Sequence, residues 1–107
     1  GTVLIEARRR GPDGPPGLGI TASKKVGNAV VRNRARRRLR EAARKLLPEL
    51  GLAGVDYVFV ARQSTPDAPW AGLLDDVGNA LIRLRADLEN ARGRSSRGKR
   101  GAPTESD

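Results

Sequence analysis

The chain has 107 residues, 21 lysines and arginines against 12 aspartates and glutamates, and neither cysteine nor histidine. This length fits one small domain, and the missing side chains exclude disulfides, thiolate metal sites and the most common general base. The net charge of +9 and the pI near 11.4 favour a polyanionic partner such as a nucleic acid.

The first predicted elements are two strands joined by a loop. Residues 2–7 are mainly β-branched and aliphatic, which is typical of a strand. Glycine, proline and aspartate dominate residues 11–17 and indicate a loop, after which residues 18–23 can form a second strand. A hairpin is the simplest arrangement of these two strands. Gly27 and Asn28 then suit a turn, with Asn28 as the N-cap of the next element.

A strong helical pattern follows from Ala29 to Leu47. At about 100° per residue, the apolar positions fall on one narrow stripe, and helical packing is predicted to begin near Val31. The stripe consists of Val31, Ala35, Leu39, Ala42 and Leu46. Pro48 and Gly51 are predicted to mark the end of this helix.

The remaining pattern indicates one more strand and one more helix. Residues 57–61 are nearly all apolar, as in a central strand buried on both faces. Residues 65–69 form a loop that opens a helix, whose core positions are Trp70, Leu73, Leu74, Val77, Leu81, Leu84 and Leu88. The element order predicts an α/β or α+β two-layer domain over residues 1–92. Residues 93–107 lack apolar periodicity and are predicted to form a disordered basic and polar tail.

The first predicted helix carries an unusual density of positive charge. Its seven arginines are Arg32, Arg34, Arg36, Arg37, Arg38, Arg40 and Arg44. Four of them recur every four residues along one edge of the apolar stripe, namely Arg32, Arg36, Arg40 and Arg44. The other predicted exposed directions are occupied by Arg34, Arg37, Arg38 and Lys45. Like charges four residues apart oppose helix formation by a few tenths of a kcal/mol per pair, so a phosphate backbone would relieve this repulsion. The pattern therefore favours RNA or DNA binding over a merely solvated surface.

Residues around the start of this helix extend the candidate site. Lys24 and Lys25 lie just before the helix N-terminus, where free backbone N–H groups and the helix dipole favour a phosphate. Asn33 is a poor helix former whose amide could read a base edge or a ribose.

Signatures of a protein enzyme are weak. The carboxylates are scattered over Asp56, Asp67, Asp75, Asp76 and Asp87, and no acid/base pair or nucleophile stands out. Asp75 and Asp76 are interpreted as part of a polar helix face, so neither a catalytic residue nor a protein metal site is expected. No apolar run is long enough to cross a membrane and no signal peptide opens the chain, so we expect a cytoplasmic protein.

Residues 19–41 resemble the signature of the bacterial ribonuclease P protein subunit. The matching features are the Ser-Lys-Lys turn that ends at Lys25, the Arg-Asn-Arg motif at residues 32–34, and the Arg-Glu pair at residues 40–41. Weaker similarity extends over residues 2–87. The resemblance implies an α/β sandwich, shared with a ribosomal protein domain, in which the basic helix connects a left-handed βαβ unit. The family usually begins with a helix that contains aromatic residues, and that helix is expected to be missing here.

The same resemblance implies a function in tRNA processing. Family members bind the catalytic ribonuclease P RNA, one protein per RNA, and the 5′ leader of precursor tRNA. The RNA subunit carries out the hydrolysis with Mg²⁺ that it mainly holds itself, so the protein is a subunit of a ribonucleoprotein endonuclease. The residues implied to bind RNA are Lys24, Lys25, Asn28, Arg32, Asn33, Arg34, Arg36, Arg37 and Arg40. Leu18, Ile20 and Ala22 are expected to offer an apolar sheet face to the leader.

Three other interpretations remain open at this point. A ribosomal-protein-like structural RNA binder would share the basic helix but would play no role in cleavage. A DNA-binding module would need a helix-turn-helix pair or a dimer seam, and neither is evident, so no DNA partner is expected. A protein-only nuclease would need clustered carboxylates, whereas those of this chain are scattered.

Overall fold

The structure, a computed structural model, describes the backbone of residues 1–97 and the side chains of residues 1–90. The strands are β1 (Val3–Arg9), β2 (Gly17–Thr21) and β3 (Val55–Ala61). A 3₁₀ turn (Lys24–Val26) precedes helix α1 (Ala29–Leu50), and helix α2 (Trp70–Arg97) follows β3. The predicted α+β class, with one small mixed sheet and two helices, is confirmed.

The three strands form a sheet in the order β1-β3-β2. β3 is antiparallel to β1 and parallel to β2, so β2, α1 and β3 form the βαβ unit that the family resemblance implies. The predicted hairpin is wrong, because β1 and β2 lie on opposite sides of β3. The most apolar strand takes the centre, where it has a neighbour on each side, and the chain must cross the end of β3 to reach β2.

The crossing loop is fixed to the residue that precedes β3. The backbone N–H groups of Arg10 and Gly11 donate to the Gly54 carbonyl at 2.7 and 3.2 Å, and the Gly54 N–H donates to the Gly14 carbonyl at 2.9 Å. Gly54 has φ +74°, and a Cβ at this position would lie 1.9 Å from the Gly11 carbonyl oxygen. Only glycine can combine this left-handed conformation with so close an approach of two backbone segments.

The core lies on one face of the sheet, beneath both helices. Along β3, Val55, Tyr57 and Phe59 are fully buried, and Asp56 and Val58 between them are only half buried. The prediction of a central strand is confirmed, but the prediction of burial on both faces is wrong. The reason is that α1 and α2 contribute their apolar stripes to the same side of the sheet.

Helix α1 begins and ends with defined caps. The Asn28 side-chain oxygen accepts a hydrogen bond from the Val31 N–H at 3.0 Å, which confirms the predicted N-cap. Val30 is 75% exposed and Val31 packs against the core, as predicted. The helix continues past Pro48 to Leu50, because Leu50 also packs against the core and the Gly51 N–H donates to the Leu47 carbonyl at 2.8 Å.

Helix α2 extends beyond the predicted boundary at residue 92. It continues through residues 93–97, because a glycine at position 93 weakens a helix without ending it when helix-compatible residues follow. The rest of the predicted tail, residues 98–107, lies outside the described residues. Within the described part of the chain, neither helix has an apolar stretch that could cross a membrane.

The start of β1 is tied to α2 by one carboxylate. Asp76 accepts hydrogen bonds from the Thr2 hydroxyl at 2.8 Å and from the Thr2 N–H at 2.9 Å. The hydrogen bond from the Thr2 hydroxyl, and then the weaker effect of the bond from the Thr2 N–H, hold the pKa of Asp76 below its ordinary value of 3.8. Since the folded-state pKa is depressed, the stabilisation is fully present above the ordinary value and is lost as the pH falls through the folded-state value.

We therefore expect Asp76→Asn to flatten the acid dependence of folding stability. The wild-type free energy of unfolding should fall more steeply than that of the variant once the pH drops below about 3.8. Urea titrations across this acid range measure the difference. Asp75→Asn is the matched control, because Asp75 is exposed and makes no side-chain hydrogen bond or ion pair with residues 1–90. Equal slopes for the two variants would contradict the prediction.

Candidate nucleic-acid interface

The outer side of α1 presents a continuous basic surface. Ala35, Leu39 and Ala42 turn inward and are fully buried, so the opposite side of the helix turns outward. The exposed arginines of this surface, called the arginine face below, are Arg34, Arg37, Arg40 and Arg44. Burial of the apolar stripe sets the rotation of the helix about its axis. That rotation in turn points the arginines on the opposite side toward solvent.

Two of the four arginines form ion pairs within the protein, and both pairs are exposed. Arg34 lies 3.7 Å from Asp67 and Arg44 lies 3.3 Å from Glu41, in pairs whose side chains are half exposed or more. Exposed pairs of this kind are worth about 0–1 kcal/mol, so they yield readily to a stronger ligand. Arg37 and Arg40 form no ion pair with any of residues 1–90. The arginine face therefore keeps a net positive charge, because only Arg34 and Arg44 have carboxylate partners among residues 1–90.

The Arg-Asn-Arg motif has internal order. The Asn33 side-chain oxygen accepts a hydrogen bond from Arg36 Nη1 at 3.0 Å, which leaves the Asn33 amide N–H groups to donate elsewhere. Arg32 is half buried, and its Nε has no acceptor among the described residues. A buried donor without a partner is costly, and an acceptor brought by a ligand would satisfy it.

The turn before α1 places two lysines beside its N-terminus. The Ser23 hydroxyl oxygen accepts from the Lys25 N–H at 3.3 Å, and Gln63 donates to the Lys25 carbonyl at 3.1 Å. These bonds fix the backbone while both lysine side chains stay exposed. Asn28 lies next to them, but its side-chain oxygen caps the helix. The structure thus brings the predicted basic residues together at one end of α1 and along its outer side.

Arg38 departs from the predicted exposed direction. Its Nη1 donates to the carbonyls of Thr65 and Pro66 at 2.8 Å each, and its Nη2 donates to the Ala68 carbonyl at 2.5 Å. The guanidinium also lies 5.8 Å from the centroid of the Trp70 ring. Arg38 therefore fastens the loop before α2 onto α1. No sequence pattern signals this role, because the acceptors are backbone carbonyls almost thirty residues further along the chain.

We expect Arg38→Ala to destabilise the fold by about 1–3 kcal/mol. The change leaves three partly buried carbonyls without their donor, and each unmade bond of this kind carries a desolvation cost. Urea unfolding measures the loss. Arg37→Ala serves as the control on the same helix, because an exposed surface change costs about 0.5 kcal/mol or less. Equal stability of the two variants would show that the loop does not depend on Arg38.

The three residues predicted to form an apolar sheet face do not form one. Leu18 and Ile20 are in register with Tyr57 and Phe59, on the face of the sheet that the helices cover. Ile20 packs against the core, and Ala22, just beyond the strand, is 8% exposed. Leu18 remains 42% exposed, at the edge of the sheet beside α1. The sequence analysis predicted a hairpin of β1 and β2, whereas β2 pairs with β3, and the register of that pair decides the face that these residues join.

The opposite face of the sheet is open among the described residues. Leu4 is 44% exposed there, and on the neighbouring strand Val60, directly opposite Leu4, and Val58 are half buried. Lys25 and Arg62 line the recess at one end of this face, and Arg8 lines the recess at the other end. The sequence pattern missed this surface, since an apolar strand gives no sign that one of its faces stays uncovered. Residues 1–90 contain no cluster of three or more carboxylates that could hold a metal ion.

Comparisons with known proteins agree with this geometry. The sequence model of the family described as Ribonuclease P matches residues 1–85. The chain is 52% identical over 103 residues to the ribonuclease P protein component of Caulobacter vibrioides, covering 95% of this chain and 69% of that protein. It is 53% identical over 89 residues to the counterpart from Ruegeria pomeroyi, covering 80% and 71% respectively.

Solved structures give the same result. The RNase P protein of Staphylococcus aureus superposes with a TM-score of 0.63 at 25% identity, over 78% of this chain and 74% of that one. The RNase P protein from Thermotoga maritima superposes with a TM-score of 0.66 at 26% identity, over 77% and 76%.

Proposed function

The chain belongs to the family of ribonuclease P protein components, RNA-binding subunits of a tRNA-processing ribonucleoprotein, and we propose that it binds the catalytic RNA through the arginine face. The observation that carries the proposal is the unneutralised charge of Arg37 and Arg40 on a helix whose ends and orientation are fixed. Arginine suits this task because its planar group donates two parallel hydrogen bonds to a phosphate. Lys24 and Lys25 would extend the contact around the start of α1.

The proposal extends to individual residues of the family motif. Arg32, Asn33, Arg34 and Arg36 would contact the RNA together with Arg37 and Arg40. The unsatisfied Nε of Arg32 supports its part, because the side chain gains an acceptor when it turns outward to a phosphate or ribose oxygen. Asn28 would contribute mainly by capping α1, since its side-chain oxygen is already engaged. One protein would bind each RNA.

For the 5′ leader of precursor tRNA we propose the open sheet face. Leu4, Val58 and Val60 supply an apolar surface for unstacked bases, and Lys25 and Arg62 at one end suit the phosphates of a single strand. This surface replaces Leu18, Ile20 and Ala22, of which only Leu18 is exposed.

Hydrolysis of the leader is proposed to depend on Mg²⁺ held mainly by the RNA subunit. Residues 1–90 bring no three carboxylates together, and the Asp76 carboxylate already accepts two hydrogen bonds from Thr2. When bound to the RNA, the metal ions would activate the attacking water and stabilise the leaving oxygen. The chain would contribute cationic side chains that reduce repulsion between the two RNAs and position the substrate.

The test is cleavage of precursor tRNA by a bacterial ribonuclease P RNA at low Mg²⁺, with and without this chain. We expect clear stimulation, because protein cations replace part of the ionic screening that the RNA otherwise needs. RNA binding without any stimulation would contradict the proposed role in cleavage and would favour a purely structural RNA binder. Loss of both would contradict the RNA interface itself.

A further inference from the structure

A recess between α1 and the start of α2 combines charge with the chain's single tryptophan. It has a volume of about 450 Å³, and we call it the tryptophan recess. Its lining residues are Arg34, Arg37, Arg38, Glu41 and Trp70. The recess is shallow and open to solvent, so it offers a contact surface on which one nucleotide can lie.

The recess is positively charged and partly rigid. Arg38 is held by three backbone carbonyls, which orient its guanidinium without cancelling the charge. Arg37 has no ion pair with residues 1–90, and the Asp67 partner of Arg34 is 82% exposed and 3.7 Å away. Three guanidinium groups therefore face a single carboxylate. This balance favours an anionic group such as a phosphate.

Trp70 adds a surface on which a base can stack. The indole is half buried against the core, so it is held in place, and the Arg38 guanidinium lies 5.8 Å from its centroid. Aromatic rings and guanidinium planes are the groups on which proteins stack unpaired bases. Because both groups are already immobilised, little conformational entropy is lost when a base binds.

Glu41 gives the recess a preference among bases. A carboxylate only accepts hydrogen bonds, and the Arg44 partner of Glu41 is an exposed group at 3.3 Å. The pairing edge of guanine presents two neighbouring N–H donors, which match the two carboxylate oxygens. The pairing edge of uracil presents one donor between two carbonyl oxygens, which the carboxylate repels.

We propose that the tryptophan recess binds one unpaired guanine nucleotide of the RNA that contacts the arginine face. The proposal rests on the proposed function, because Arg34 and Arg37 belong both to the arginine face and to the recess. That continuity favours RNA over an acidic peptide as the occupant. The base stacks on the exposed part of the Trp70 indole that the Arg38 guanidinium leaves uncovered, its pairing edge faces Glu41, and Arg34 and Arg37 hold the adjoining phosphate.

The test uses the emission of Trp70, which reports on the recess alone because the chain has no other tryptophan. The full chain is titrated with ribonuclease P RNA, with a short oligouridylate, and with the same oligouridylate carrying one internal guanosine. We expect the RNA and the guanosine oligonucleotide to quench the emission. The guanosine oligonucleotide should bind about tenfold more tightly than the plain one, in line with one stacked base.

Glu41→Gln is the matched variant, since it keeps the shape and removes the charge. It should reduce the preference for guanosine several-fold while binding plain oligouridylate at least as tightly as the wild type. Trp70→Leu should lose the preference, and Trp70→Phe should retain most of it. If Trp70→Leu melts below the wild type, Glu41→Gln carries the test on its own.

The possible failures are distinguishable. RNA that binds tightly without quenching Trp70, or equal affinity for both oligonucleotides, would overturn the proposed guanine site and leave the arginine face intact. An acidic peptide that quenches Trp70 when the guanosine oligonucleotide does not would overturn it as well. A chain that binds none of the three RNAs would overturn the proposed function itself.

Discussion

Replacing Arg37 and Arg40 together by alanine is expected to weaken the binding of ribonuclease P RNA about 100-fold. Each side chain would lose a charge-assisted contact worth about 1.5 kcal/mol, and two such losses correspond to about two orders of magnitude. The helix itself should be unaffected, because alanine is a good helix former and the change relieves repulsion between neighbouring arginines.

The salt dependence separates this effect from a change in folding. Each phosphate contact contributes a log–log slope of about 0.7–0.9, so the double variant should show a slope shallower by about 1.4–1.8. Filter binding over a range of salt concentrations gives both quantities, and circular dichroism confirms the helix content.

The matched control removes the same charge from α2. Arg83→Ala with Arg85→Ala also lowers the net charge by two. These residues lie on α2 and not on α1, and Arg85 is paired with Glu89 at 3.8 Å. We expect about a threefold change or less, since screened charges away from the interface contribute little. Equal losses in the two double variants would mean that net charge, and not the arginine face, governs binding.

Gly54→Ala is expected to lower the melting temperature by about 10–20 °C. The added Cβ would lie 1.9 Å from the Gly11 carbonyl oxygen, and φ +74° is a strained conformation for alanine. Together these costs amount to at least about 2–3 kcal/mol, which gives a shift of that size in a domain of this length.

Gly72→Ala is the control for this substitution. A Cβ at Gly72 meets nothing within 4 Å, and alanine is favoured over glycine in a helix by up to about 1 kcal/mol. Its melting temperature should equal or slightly exceed that of the wild type. Calorimetric scans of both variants give the comparison, and an unchanged Gly54→Ala melt would show that the crossing loop is not held at this position.

The helices and the basic surface were predictable because they depend on local periodicity. The apolar stripe through Ala35 and Leu39 predicted which side of α1 faces outward, and Asn28 predicted the N-cap of that helix. The resemblance of residues 19–41 to one family signature is confirmed by the family match and by relatives at 52% identity. A short signature can be reliable in this way because it combines a turn, a cap and a charge pattern.

The strand order was not predictable in the same way. Nothing in the local pattern of residues 2–23 distinguishes a hairpin from two strands that flank a third, because the third strand begins only at Val55. The errors on Leu18, Ile20 and Ala22 followed from that ambiguity. Arg38 was missed for a related reason, since its partners are carbonyls that only the folded loop brings close.

The position of β3 also affects how the chain folds during synthesis. β1 pairs with β3 along its whole length, from Val3–Ala61 to Arg9–Val55, and β2 pairs only with β3. Neither β1 nor β2 therefore has its complete partner strand until residue 61 is made. At about 5–20 residues per second, β1 waits about 3 to 10 s for its neighbour. Helix α1 has only local backbone hydrogen bonds, but repulsion among its arginines and the missing sheet leave it marginal during this interval. An RNA that neutralises these arginines would therefore stabilise α1 on a nascent chain whose sheet is still incomplete.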